Sequence, residues 1–280
     1  MSTRHAGDER DPVLLRSLIT QEDYRQCLAL QDRTWGAGFT ERASVAMLMG
    51  SQRVGGVAVG AFDGTGTLLG FVFGFNGVRE GRLAHWSYML AVRSEAQGHG
   101  LGRRLKASQR ELLIESGIEV AYWTYDPLVA VNAHLNLSRL GVRAIQYVPD
   151  MYGDDTRSDL HRHLGTDRFV VEWNLRDPRV ERALVRGLVV APDVVASAPV
   201  VSATPEEPSP EPDLSGAPAV LVAIPDDILE VRACSLETAA RWRATTRRAF
   251  LHYLGCGYEV AGLHRGLAGD RCAYVLAREA

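Results

Sequence analysis

The chain has 280 residues, 46% hydrophobic and 23% charged, with a formal net charge of −3. That length allows one large domain or two modest ones, each with a sizeable core. The absence of a net basic field argues against nucleic acid as a partner, and no apolar run reaches the ~20 residues a membrane helix needs. The four cysteines, Cys27, Cys234, Cys256 and Cys272, form no Cys-x-x-Cys pair. They read as scattered reduced thiols. Met1 to Pro12 is polar, without the apolar stretch of a signal peptide. A cytoplasmic location is expected.

In chain order, Val13–Leu18 reads as a strand. Gln21–Trp35 has helical spacing, with Tyr24, Cys27, Leu28 and Leu30 on one side, and Glu41–Arg53 reads as a second helix. Val57–Phe62 and Leu68–Phe75 read as strands around the turn signal Asp63-Gly64. Leu83–Val92 is a longer strand. Gly100–Ser116 is an amphipathic helix with Leu101, Leu105, Leu112 and Leu113 inward, stopped by Gly117. Then come a strand Ile118–Tyr125, a helix Asn132–Leu140 ended by Gly141, and strands Val142–Val148 and Phe169–Trp173. A helix between Val92 and Ile118 makes a crossover, which predicts parallel neighbours there. The order predicts an α/β fold: a mixed sheet with helices on both faces.

Val180–Gly187 is a short predicted helix. From Ala191 to Pro218 the chain holds seven prolines and no aromatic residue, too little apolar surface to offset the entropy of ordering. Residues 178–218 are therefore expected to form a helix and a linker. This linker separates a first domain, 1–177, from a small C-terminal β-α-β-β block, 219–280. In that block Ala219–Ala223 is a strand and Leu236–Leu254 a helix suited to bury Ala240, Trp242, Ala249, Phe250 and Tyr253. Tyr258–Leu263 and Cys272–Ala277 form a hairpin. The block echoes Ile118–Trp173 and suggests a partial duplication. Trp242 with Arg241 and Arg243 suggests a docking face, and edge strands in the block leave a homodimer open.

The informative segment is Gln97-Gly98-His99-Gly100-Leu101-Gly102-Arg103-Arg104. A strand runs out, the chain turns through glycines, and a helix begins. Backbone N–H groups at a helix start lack internal partners and, with the helix dipole, make an anion site. Glycine lets a diphosphate approach and tolerates positive φ, and two arginines lie beside it. The Rossmann and Walker spacings are both absent.

Gln97-x-x-Gly100-x-Gly102 matches the Q/R-x-x-G-x-G/A signature of the GNAT superfamily of N-acyltransferases, at the place the family has it. The element order of about Val13–Leu175 is similar too. Trp123 to Leu128, Asn132-Ala133, Asn136-Leu137, Leu140-Gly141, Tyr152-Gly153 and Asp167-Arg168 with Glu172-Trp173 resemble a GNAT-like subgroup with a C-terminal extension. The resemblance implies transfer of an acetyl or other short acyl group from acyl-CoA to a primary amine on a small molecule, such as an amino acid. The backbone of Leu90, Ala91 and Val92 would hold the pantetheine arm. The amides of Gln97, Gly98, His99, Gly100, Leu101, Gly102 and Arg103 would hold the pyrophosphate, and Asn132 and Asn136 the cofactor from the following helix. His85 or Asp126 is the candidate base. Family members often carry a tyrosine acid where this chain has Leu137, so Tyr125 or Tyr88 is the candidate acid. That departure favours, as an alternative, a non-catalytic acyl-CoA-binding module. An amino-acid acceptor would present its carboxylate to Arg168. Asp167, Arg168 and Glu172 read otherwise as structural ion pairs, Trp86, Trp123 and Trp173 as core, and His161-Arg162-His163 as a solvated loop, with no metal expected.

Overall fold

The computed structural model describes residues 13–153, 157–158, 164–202, 214, 216–267 and 271–278. His161, Arg162 and His163 lie outside the described residues. The fold is α/β, and the chain divides into two compact units: 1–37 with 42–118, and 38–41 with 119–280. The division falls after Ile118, inside the stretch read from sequence as one domain.

In the first unit, strands β1 (Leu14–Ser17), β2 (Val57–Phe62), β3 (Leu68–Arg79) and β4 (Arg82–Val92) pair antiparallel in chain order. Helix α1 (Gln21–Trp35) starts at a capping box. Asp23 N–H donates to the Thr20 hydroxyl, and the Asp23 carboxylate accepts from Thr20 N–H. Such a cap contributes about 1 kcal/mol. Tyr24, Cys27 and Leu30 are buried as the spacing predicts. Helix α2 (Val45–Arg53) is shorter than expected because Ser44 caps it, accepting from Met47 N–H. Every residue of β2 is buried, and Leu105 and Leu113 of helix α3 (Leu101–Glu115) are fully enclosed. β4 carries a bulge. Phe73 faces Met89 and Gly74 faces Ser87, so Tyr88 is the extra residue.

In the second unit, β5 (Val120–Tyr125) pairs antiparallel with β7 (Arg168–Asn174), and β7 with β6 (Arg143–Val148). Between β5 and β6, α4 (Ala130–Ala133) runs into a π-helical stretch, His134–Leu140, where a plain helix was predicted. The wider turn closes at Gly141, whose N–H donates to Asn136 O at φ +69°. Helix α5 (Pro178–Arg186) follows. The proline-rich segment is partly structured: α6 (Pro192–Ser197) and β8 (Val200–Ser202) form within it. Pro192 opens α6, where its missing N–H costs nothing.

The C-terminal block holds β9 (Ala219–Pro225), α7 (Ile228–Cys234), α8 (Leu236–Gly255), β10 (Tyr258–Leu267) and β11 (Arg271–Arg278). Its sheet runs β10-β11-β9-β8, mixed because β8 joins β9 in parallel. α7 was not anticipated, and α8 buries Ala239 rather than Ala240. Phe250 of α8 and Tyr274 of β11 meet Phe169 of β7 with ring centroids 4.9 and 5.5 Å away. Trp123 and Trp173 pack edge to face at 5.5 Å. The block therefore shares one core with β5–β7.

Candidate functional site

The turn after β4 is tied back to its sheet. Arg93 N–H donates to Leu69 O at 2.8 Å, and Gln97 Nε2 donates to Val92 O at 2.9 Å. Gln97 thus acts here as a brace on the strand end. Ser94–Ala96 makes one tight 3₁₀ turn, and Gly98 and Gly100 both take left-handed φ, +79° and +74°. A Cβ at either glycine would meet nothing within 4 Å, so the backbone faces open space. Gly98, His99 and Gly100 are exposed.

Gly100 is the N-cap of α3 and offers no side chain to the first-turn amides. The first turn closes with Arg104 N–H donating to Gly100 O at 3.1 Å. The amides of Leu101 and Gly102 precede it, in the turn where a helix leaves N–H groups without internal partners. No acidic residue stands in this turn, although acids are the usual stabilisers there. Arg103 and Arg104 occupy it instead. An uncapped, cation-flanked helix start on a glycine bend is of the kind that can accept an anion.

The sequence-predicted residues on β4 divide between its two faces. Leu90 and Val92 are half-exposed, with Trp86 and Tyr88, while Ala91 is buried. Tyr88 stands edge-on to Phe73 at 6.1 Å and beside Phe75 at 6.0 Å. His85 is fully buried. Its Nδ1 lies 2.7 Å from Asn76 Oδ1 and its Nε2 3.0 Å from Gln109 Nε2. One neutral tautomer satisfies both, Nδ1–H donating and Nε2 accepting, and burial pushes its pKa down to about 3. The lone pair a base would use is already occupied. As placed, His85 is a packed strand residue with both ring nitrogens engaged, a geometry that does not favour the role of base expected for it.

Beneath it, Lys106 is buried with its Nζ 2.9 Å from both Ser87 Oγ and Gln109 Oε1. Burial holds its pKa well below the ordinary lysine value. The unfolded chain therefore binds a proton here that the folded chain resists, and stability is lost as pH falls from the ordinary lysine pKa toward the depressed one. Lys106→Met leaves Ser87 still donating to Gln109. It should raise the urea midpoint, with a gain that grows by about 1.4 kcal/mol per pH unit on descending through that window. A gain independent of pH would show that Lys106 is charged in the fold.

In the second unit, Asp126 follows β5 and is largely enclosed, its side chain 12% exposed. Its Oδ2 accepts from Arg243 Nη2 of α8 at 2.6 Å and lies 3.7 Å from Arg168 Nη1. Burial alone would raise its pKa, but Arg243 and Arg168 outweigh that and hold it low. A paired carboxylate of low basicity is a poor proton acceptor, and as placed Asp126 is the counterion of Arg243 and Arg168, which does not favour the role of base expected for it. Arg168, buried beside it, is committed to the same network. Tyr125 is buried, its hydroxyl 3.4 Å from that of Tyr274, and burial pushes its pKa up.

Asn136 is buried and accepts from Trp123 Nε1 at 2.9 Å, while Asn132 is exposed. Asn136 is therefore part of the β5 packing. Asp167 pairs not with Arg168 but with Arg247 and the Tyr147 hydroxyl, and Glu172 accepts from Tyr122 and Asn174. Among the described residues no three His, Cys, Asp or Glu side chains gather as a metal site. No helix among them is long and apolar enough to cross a membrane.

The chain is similar to solved acetyltransferases. A GNAT-family protein from Desulfovibrio desulfuricans is 20% identical, covering 59% of this chain and 99% of its own, with a TM-score of 0.46. The yncA protein of Salmonella typhimurium, solved with acetyl-CoA, is 16% identical, covering 60% and 96%, at 0.46. The ribosomal-protein-S18-alanine N-acetyltransferase of Escherichia coli is 16% identical, covering 59% and 94%, at 0.45. No family model matches the chain, and no curated protein matches it.

Proposed function

We propose that the chain is an acyl-CoA-dependent N-acyltransferase acting on a primary amine. The observation that carries this reading is the start of α3: amides without a side-chain cap, two left-handed glycines facing open space, and arginines where acids usually stand. The amides from Gln97 to Arg103 suit the diphosphate of coenzyme A. The resemblance of the same residues to the GNAT signature points to that ligand rather than to a dinucleotide.

The bulge at Tyr88 interrupts the β3–β4 ladder, and a peptide N–H released there is a donor for the thioester carbonyl as it becomes an oxyanion. Attack by the neutral amine, collapse of the tetrahedral adduct and departure of the thiolate then need one proton removed and one supplied. Tyr88 is the candidate acid: it is half-exposed, while His85, Tyr125 and Asp126 are enclosed. The amine's proton would leave through solvent.

Tyr88→Phe should lower kcat for thiol release by about 100-fold with the coenzyme A dissociation constant unchanged. An unaltered kcat would remove Tyr88 from the chemistry. A second reading, an acyl-CoA-binding module without turnover, is favoured by Leu137 and by the burial of three of the four candidate groups. Thiol release that stays at background across a panel of amines, with coenzyme A bound, would select it. The acceptor is read as a small molecule and the chain as a cytoplasmic protein able to form a homodimer.

A further inference from the structure

We infer that His85 is a positioning residue: bracketed with Ser87 by Gln109, it fixes the bulge at Tyr88, and with it the peptide N–H and phenol presented there. The use made of that N–H and phenol rests on the acyl-transfer reading, whereas the fixing of the bulge stands apart from it. The bulge sets the register of β4. Phe73 faces Met89 and Gly74 faces Ser87, so two steps along β4 match one along β3. Removing the surplus residue would turn over the strand beyond it, burying the half-exposed Leu90 and Val92 and exposing Ala91. Ladder hydrogen bonds alone do not hold the bulge, because the surplus residue is the one they leave out.

Side chains hold it instead. His85 and Ser87 lie two apart on the buried face of β4, and Gln109 of α3 takes both. Its Nε2 donates to His85 Nε2 at 3.0 Å, and its Oε1 accepts from Ser87 Oγ at 2.9 Å. The bracket ends on the residue just before Tyr88. Across the ladder, His85 Nδ1 donates at 2.7 Å to Asn76, its register partner, and Asn76 Nδ2 donates to Gly55 O at 2.7 Å. β3 is shaped to receive the imidazole. A Cβ on Gly74, opposite Ser87, would fall 2.2 Å from His85 Nε2 and 2.5 Å from Trp86 O. The Gly74 carbonyl is itself held from α2, where it accepts from Ser51 Oγ at 2.8 Å. Both strands are thus pinned at the bulge.

Packing alone does not call for these groups. His85, Ser87 and Gln109 are all buried, where apolar side chains would fill the space without desolvating polar atoms. A fully paired network adds direction to that space. Direction matters for a donor aimed at a developing oxyanion, since a misplacement of about 1 Å costs roughly 100-fold in rate.

The test compares three variants of the full chain. His85→Leu empties the bracket. Ser87→Ala unhooks only the residue beside the bulge and leaves Lys106 on Gln109, so it stays folded if His85→Leu does not. His85→Gln keeps an acceptor for Gln109. Amide relaxation dispersion reads the bulge directly. In His85→Leu and Ser87→Ala the resonances of Ser87, Tyr88 and Met89 should gain exchange broadening, and those of Val57–Phe62 in β2 should not. Thiol release from acetyl-coenzyme A, with the best amine of a panel, reads the consequence. His85→Leu should lower kcat by about 100-fold and Ser87→Ala less, with calorimetric binding of coenzyme A unchanged. His85→Gln should lie nearer the parent than His85→Leu in both readouts. The proposal is overturned if the bulge resonances of both disrupting variants match the parent's, or if broadening spreads equally over β2. It is also overturned if the bulge loosens while a measurable parental kcat is kept. A parent without turnover removes the acyl-transfer reading, and the resonances alone then decide whether His85 holds the bulge.

Discussion

Replacing Arg243 by alanine is expected to cost roughly 3–5 kcal/mol of folding stability, the loss seen when one member of a buried ion pair is removed. Asp126 would keep only Arg168, at 3.7 Å, and the carbonyl of Leu164 would lose its donor. The comparison is Arg247→Ala, whose side chain is 32% exposed and should cost less because water can replace it. Urea unfolding over a range of pH reads both. In the parent, Asp126 has a lowered pKa, so its contribution is present above the ordinary carboxylate pKa and is lost as pH falls through the lowered one. Without Arg243, burial dominates and favours the protonated acid. The gap between parent and variant should then narrow on acidification. A gap constant with pH would mean that Asp126 is not the group left stranded.

Gly100→Val is expected to weaken coenzyme A by about 100-fold or more, roughly 3 kcal/mol, while the chain stays folded. Two effects act together. A β-branched residue at φ +74° is strained by about 1–2 kcal/mol, and its side chain fills the space over the α3 amides. Gly117 supplies the control. It lies just past the other end of α3 with φ +77° and equally open surroundings, so Gly117→Val carries the same strain and should leave calorimetric binding intact. If both variants lose binding alike, the effect is general loosening of α3. If Gly100→Val binds normally, the diphosphate is not held on this turn.

The glycine bend was legible because its requirement is local. Positive φ and a bare helix start are written in Gly98, Gly100 and the residues beside them. The long helices were legible for the same reason: α1 has the predicted bounds, and α3 falls within one residue of them. The fates of His85 and Asp126 were not legible, since they depend on partners far along the chain. Alternation marks His85 only as a strand residue. That Lys106 and Gln109 seal it follows from how α3 lies on β4. Asp126 before Pro127 reads as a turn former until Arg243, 117 positions later, is brought against it. α6 and β8 are not legible because proline density outweighs the short apolar runs Val194-Val195 and Val200-Val201, whose partners, β9 and its core cluster, lie further along the chain.

The π-helical stretch His134–Leu140 holds a surplus residue. Regular winding advances about 100° per residue, and an over-wide turn persists only where its surroundings hold it open. Here Gly141 packs so closely that a Cβ on it would fall 2.8 Å from that of Ala183 in α5, and Leu188 N–H reaches Ser138 O at 2.7 Å. Deleting one residue from the stretch would let it relax into ordinary coiling, but would swing Leu140 and Gly141 off those contacts. Length in this short stretch is thus as constrained as identity, and a shortened version of this loop would have to rebuild the seat of α5.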